Sequence, residues 1–386
     1  MRSRSSRRLT LTLCVCLLAA AHVGACSGGG SSGGGGAALP AQPAVRTPYV
    51  QNVTTDQAAI VWKTLEPTDG VVSWGPTPAL ANVEASPRGT RHEVLLTGLQ
   101  PATDYFYRVE MDGQVVADGI RFRTAPTTAT DTLRFIAFGD SGVPTAANAH
   151  IAALLARRSV DLIVHTGDVV YPGGEEVFYD QVVFTPYAAT LAGTPLFPSM
   201  GNHDVKTAGG APYLANWSLP TNPAGDERYY AFGWGNALFV SINTEDPYTA
   251  GSPQHTFIES TLASAASNGY AWIIAYMHRG PYSSSTAHGE NPTAIAHLVP
   301  LFEAYGVQLV LSGHDHCYER TVPMGGVTYV VTGGGGNSLY GVGASAYTAF
   351  SISAHHLVEV TISGSTLRID ALAADGSLLD TALITR

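Results

Sequence analysis

Five short apolar runs in this chain each stop at side chains able to hold a metal ion, and that repeated ending constrains the fold more than any other feature. Leu133 to Phe138 leads into Gly139-Asp140. Asp161 to Val164, with His165 and Thr166, leads into Gly167-Asp168, with Tyr171 just beyond. Pro195 to Met200 runs into Gly201-Asn202-His203-Asp204, Ala271 to Met277 ends at His278, and Gln308 to Leu311 reaches Gly313-His314-Asp315-His316. Short runs rich in β-branched and aromatic residues, bounded by turn signals, read as buried strands. Polar residues at the carboxyl ends of such strands mark the crevice where an open α/β sheet places its site. Glycine beside a ligand lets the backbone turn sharply and approach an ion.

Within Thr145 to Arg158, Ile151, Leu154 and Leu155 fall at helical spacing. Strand, helix and strand thus fill about 28 residues from Asp140 to Asp168, close to the roughly 30 of a βαβ unit. Two carboxylates land side by side, and one would be driven to take up a proton unless a cation shares them. Tyr171, Asn202, His278, His314 and His316 complete a donor set suited to a metal pair. Hard oxygens suit a trivalent or hard divalent ion, imidazoles suit zinc, iron or manganese, and Asp168 can bridge. Metals paired in this way sit about 3.5–4 Å apart and clamp the entering and departing oxygens of an in-line displacement.

Gly139-Asp140-Ser141-Gly142, Gly167-Asp168-Val169-Val170-Tyr171, Gly201-Asn202-His203-Asp204, Tyr276-Met277-His278 and Gly313-His314-Asp315-His316-Cys317-Tyr318-Glu319-Arg320 occur in one order. That series resembles the purple acid phosphatases, within the calcineurin-like metallophosphoesterases, and the likeness extends through the Glu227–Thr244 stretch and the Ser252–Leu262 helix. The resemblance implies a ferric site of Asp140, Tyr171 and His316, a second site of Asn202, His278 and His314 for Fe(II), zinc or manganese, and a bridging Asp168. It implies a charge-transfer colour from Tyr171 on Fe(III), and hydrolysis of phosphate monoesters by direct attack of a metal-bound hydroxide. His203 and His288 would hold substrate phosphate, together with Asn202 and Glu290, and would help protonate the leaving group. A diesterase using the same metals and an inactive surface binding protein are the alternatives.

From Ala44 to Pro126 the pattern changes to short alternating strands at Ala58–Lys63, Gly70–Trp74, His92–Thr97, Tyr105–Met111 and Gly119–Thr124. Turns at this spacing predict a β-sandwich, and Leu99 to Tyr105 resembles the tyrosine corner of fibronectin type III modules. The expected architecture is therefore this all-β domain, residues 44–126, followed by a four-layer αββα catalytic domain, residues 131–386. Val327–Val331, His356–Ile362 and Thr366–Ala371 are expected to complete its second sheet.

Arg2, Arg4, Arg7 and Arg8 precede an apolar segment from Leu9 to Ala21, too short to span a bilayer comfortably. Residues 1–25 read as an export signal. Val23-Gly24-Ala25-Cys26 fits a bacterial lipobox with Cys26 acylated, and the Gly/Ser-rich stretch 26–43 reads as a tether to a membrane anchor. Only Cys317 then remains in the folded body, which excludes a disulfide framework. Losing the four leader arginines takes the formal charge from −10 to −14, an acidity that disfavours nucleic acid as a partner.

Several signals take plainer readings. Gly333 to Gly336 lacks the Lys-Ser/Thr of a phosphate loop and reads as a turn at a strand end. His92, His150, His165, His255 and His297 read as structural, His355-His356 as a strand edge, and Cys317 as a filler. Asp140-Ser141-Gly142 mimics a serine protease nucleophile segment, but no matching histidine block lies upstream.

Overall fold

The computed structural model describes residues 44–386. The expected signal segment 1–25, the expected tether 26–43 and Cys26 lie outside the described residues.

The N-terminal region is all β: β1 (Ala44–Gln51), β2 (Gln57–Gly75), β3 (Asn82–Thr97), β4 (Asp104–Met111) and β5 (Gln114–Arg123). Two of the expected strands, Ala58–Lys63 and Gly70–Trp74, are halves of β2. Its register against β3 slips between Lys63 and Gly70. Pro67 sits in that slip, where a missing N–H costs no ladder bond. The bend lets the first half of β2 pair with β1 and the second with β4, giving a sandwich-like region around Trp62, Tyr107 and Phe122, all buried. The Tyr105 hydroxyl accepts the N–H of Gln100 at 2.9 Å, closing the corner expected from Leu99 to Tyr105.

This region is tied to the rest of the chain by polar contacts centred on a buried arginine. Arg46, 3% exposed, lies over the Phe184 ring at 3.6 Å and donates to Asp180 at 2.7 Å and to Asn216. Tyr49 and Tyr107 donate their hydroxyls to the carbonyls of Asn216 and Ala192.

Two sheets form the centre of the catalytic domain. β6 (Thr132–Phe138), β7 (Leu162–His165) and β8 (Leu196–Pro198) run parallel and join β16 (His356–Ser363), β17 (Thr366–Ala373) and β18 (Leu378–Thr385) in a six-stranded sheet ordered β18-β17-β16-β6-β7-β8. The second sheet has seven strands. It contains β9 (Tyr230–Trp234), β10 (Ala237–Ile242), β11 (Trp272–Met277), β12 (Leu309–Ser312), β13 (Tyr318–Thr321), β14 (Thr328–Thr332) and β15 (Thr348–Ile352), ordered β15-β13-β14-β12-β11-β10-β9. The sheets meet through aromatic pairs: Phe135 edge-on to Phe239 at 5.1 Å, and Phe197 stacked on Phe232 at 3.9 Å.

Helices complete the αββα layering. Ala146–Leu155 links β6 to β7, with the Thr145 side chain accepting the N–H of Asn148, and Pro253–Ser264 links β10 to β11, with Ser252 accepting from His255. Ile258 and Leu262 of the second helix pack with Leu238, Val240 and Ile273 of β10 and β11.

One expectation needs correcting. Val327–Val331 does not share a sheet with His356–Ile362 and Thr366–Ala371, because β14 lies parallel to β12 in the seven-stranded sheet while β16 pairs with β6 in the other. An apolar run reports burial and not which strand lies beside it. His356, expected at a strand edge, instead opens the central strand β16 and is fully buried against Tyr318.

Candidate metal centre

Strand direction decides where the site forms. β6, β7 and β8 end at Asp140, Asp168 and Asn202 in one sheet, and β11 and β12 end at His278 and His314 in the other. All five carboxyl ends open on one crevice, so donor atoms of Asp140, Asp168 and His278 lie within 4.8 Å of one another. Asp140, Asp168 and His314 adopt positive φ (58°, 53° and 68°). That left-handed turn is unfavourable for a side chain carrying Cβ and persists only where surroundings enforce it. Close backbone approach is enforced by glycine. A Cβ on Gly201 would collide with Asp168, and one on Gly313 would sit 2.5 Å from Asp140 Oδ2.

Every expected ligand reaches the crevice. Tyr171 Oη lies 3.0 Å from Asp140 Oδ1 and 3.2 Å from His316 Nε2, and His316 Nε2 lies 3.4 Å from Asp140 Oδ1. His278 Nε2 lies 3.3 Å from Asp168 Oδ2 and 3.1 Å from Asn202 Oδ1. The backbone N–H of His314 donates to Asp140 Oδ2 at 3.0 Å, and its ring meets His278 edge-on. Two of the histidines are oriented from behind: Nδ1–H of His278 donates to the Thr166 carbonyl at 2.9 Å and that of His316 to Ser338 at 2.7 Å. Both Nε2 atoms are thereby turned inward with a free lone pair, the arrangement expected of metal-bound imidazoles.

The electrostatics also call for a cation. Burial opposes charge on His278, yet the Asp168 carboxylate beside it raises its pKa to about 10, which shows how strongly the buried carboxylates favour a positive charge at this point. Burial, joined by the charges of Asp140 and Asp168, holds the Tyr171 hydroxyl well above the usual phenol range. Ionising it beside two carboxylates requires a positive ion, and the oxygen and imidazole donors present match one.

His203 donates its N–H to Asp168 Oδ1 at 2.8 Å and packs its ring on Tyr171 at 4.3 Å. His288 stacks on His314 at 3.9 Å. Glu290 lines the adjoining cavity with His288 and His314. The Gly333–Gly336 turn packs on the first ligand loop, with Gly335 N–H donating to the Gly139 carbonyl. His165 is buried, hydrogen-bonded to Ser141 at 2.9 Å, and burial lowers its pKa to about 3.

Three contributors were not read from the sequence. Asp204 accepts the N–H groups of Val169, Val170 and Gly201, tying the Asp168 loop to the Asn202 loop. Arg279 places Nη1 2.8 Å from His314 Nε2. Tyr340 stacks on His316 at 4.1 Å. Asp204 and Arg279 each adjoin a ligand block, which was the available signal; Tyr340 follows a Gly-Asn-Ser stretch that carries none.

Two family models match the chain: Calcineurin-like phosphoesterase over residues 133–318, and Purple acid Phosphatase, N-terminal domain, over residues 45–124. Among curated relatives, Purple acid phosphatase 15 of Arabidopsis thaliana is 26% identical over 72% of this chain and 57% of its own length. Probable inactive purple acid phosphatase 27 of the same plant is 28% identical over 65% and 50%. Nucleotide pyrophosphatase/phosphodiesterase of Hordeum vulgare is 29% identical over 61% and 77%. The chain thus spans about half the length of the first two. The solved purple acid phosphatase PPD1 from yellow lupin (Lupinus luteus) seeds shares the fold at a TM-score of 0.79 and 22% identity, over 88% of this chain and 75% of that one. With both regions matched in order and the fold shared, the chain belongs to the purple acid phosphatases, within the calcineurin-like phosphoesterases.

Proposed function

We propose that the protein is a binuclear-metal phosphatase acting on phosphate monoesters. One observation carries this reading: seven side chains with oxygen or nitrogen donors, delivered by strands of two different sheets, converge in one crevice. Asp140, Tyr171 and His316 would hold the first ion, taken as Fe(III), and Asn202, His278 and His314 the second, taken as Fe(II), zinc or manganese, with Asp168 shared. A bound pair supplies a nucleophile from water and neutralises charge on the phosphoryl oxygens.

The chain's own side chains do the rest. His203, held by its backbone N–H to Asp168, by its ring to Tyr171 and by Nδ1–H to the Pro172 carbonyl, presents Nε2 at the mouth of the site. His288, stacked on His314, faces it from the cavity side. Between them they would orient a phosphate dianion and deliver a proton to the departing alkoxide, the positioning and charge stabilisation on which phosphoryl transfer depends. Glu290, at the cavity rim, would meet the leaving group.

Some of the relatives are named purple acid phosphatase and others probable inactive purple acid phosphatase, so the donor set of this chain is the support for activity. The barley relative's name and the open cavity beside the site favour a diesterase as the second reading. Metal analysis, a visible spectrum and hydrolysis of p-nitrophenyl phosphate against its bis-ester test both. Bound iron with faster monoester turnover is expected; colourless, metal-free and inert protein would overturn the assignment. We also propose export and lipid attachment at Cys26, which labelling with radioactive palmitate before and after Cys26→Ser would check.

A further inference from the structure

Beside the ligand cluster lies a cavity of about 420 Å³ lined by Arg279, Tyr282, His288, Glu290, His314 and Asp315, among others. Arg279 is the cation there, and it is held from one side. Its Nε donates to Glu245 at 2.7 Å, and its backbone N–H donates to Thr244 Oγ1 at 3.1 Å. Glu245 is anchored in turn, donating its own N–H to Asn243 Oδ1 at 3.0 Å. The outer edge of the guanidinium is aimed at the cavity and at His314, with Nη1 2.8 Å from Nε2.

A guanidinium carries N–H donors only, so the His314 nitrogen facing it must present a lone pair. If His314 serves a metal, that nitrogen either holds the ion or carries the remaining ring proton, and in neither state does it accept from Arg279. The N–H groups of Arg279 then face the cavity, where a planar fork matches two oxygens of a phosphate. The carboxylates nearby do not occupy them: Asp315 is buried and accepts from the His288 N–H at 3.3 Å, and Glu290 is exposed at the rim.

We propose that Arg279 is a specificity-determining residue that grips a second phosphoryl group, so that the site favours phosphoanhydrides over simple phosphate esters. This rests on the metallophosphatase reading above. In the step implied, a water oxygen bonds to the terminal phosphorus and the bond from that phosphorus to the bridging oxygen breaks. The departing phosphate keeps the bridging oxygen and takes a proton from the water.

The test is calorimetric titration of the full protein, carrying its own metals after gel filtration, with two non-hydrolysable probes, methylenebisphosphonate and methylphosphonate. The wild type should bind the bisphosphonate more tightly. Arg279→Met should weaken the bisphosphonate roughly tenfold while leaving methylphosphonate within about threefold, the size expected for one charged hydrogen-bond pair. Arg279→Gln, which retains a donor to Glu245, should show the same split if the Met variant fails to fold. Equal weakening of both probes, or no preference in the wild type, would overturn the role of Arg279 while leaving the metal site standing. A metal-bearing wild type that binds neither probe would overturn the metallophosphatase reading, and this proposal with it.

Discussion

Asp204 accepts the Gly201 N–H at 2.9 Å from inside the loop they share, and the same carboxylate takes the N–H groups of Val169 and Val170 beyond Asp168. One buried carboxylate therefore sets the spacing between the second and third ligand loops. Burial, and then the charge of Asp168, raises its pKa to about 7. The N–H bonds from Gly201 and Val169 oppose that shift.

Asp204→Asn replaces one acceptor oxygen with an NH₂ group facing backbone N–H groups. Metal affinity should fall by roughly 10–100-fold, as expected when a supporting partner of a ligand is lost. Competition with a chelator, read by metal content, checks this; unchanged affinity would show that the loops hold their spacing without it.

Tyr171→Phe removes the oxygen that lies 3.0 Å from Asp140 Oδ1. The ring can keep its place against His203, so thermal stability should move by less than about 1 kcal/mol, while any visible absorption of the iron-loaded protein disappears. A variant that keeps the colour would show that the chromophore does not use this phenol.

Glu227 gives a pH dependence with a definite sign. Burial, opposed by the N–H of Leu219 and reinforced by Glu93, raises its pKa to about 7 from an ordinary value of 4.5. The folded state holds this proton more tightly than the unfolded chain, so the stability it contributes is complete below about 4.5 and is lost as pH rises through about 7. Glu227→Gln keeps an acceptor for Leu219 and cannot ionise. Its Tm should match the wild type at pH 4 and exceed it at pH 8, measured by scanning calorimetry in matched buffers; the reverse ordering would refute the sign.

Arg46→Ala strands Asp180 and Asn216 at the interface and removes the cation over Phe184. Breaking a buried pair by deleting one partner costs about 3–5 kcal/mol. Urea unfolding should show a loss of that order, and a loss below about 1 kcal/mol would mean that water replaces the guanidinium.

Much of the fold was legible in the sequence because burial and local turn chemistry are written in adjacent residues. The runs before Asp140, Asp168, Asn202, His278 and His314 are strands, the segment after Thr145 is a capped helix, and Tyr105 closes its corner. The break expected between Ala58–Lys63 and Gly70–Trp74 was illegible, because a bulge at Pro67 and a turn there look alike in composition. The sheet assignment of Val327–Val331 failed for a related reason: strand partners are chosen by contacts distant in sequence.

The residue types able to hold metal, and their placement at strand ends, were determined by the sequence alone, since each depends on a short stretch of chain. That those ends belong to two sheets facing one crevice was decided by the tertiary structure, as were the Asp204 clamp between loops and the aim of Arg279 into the cavity. Packing of aromatic faces such as Phe135 on Phe239 brings the sheets together, and only that closure turns separate donors into a site where charge can be shared.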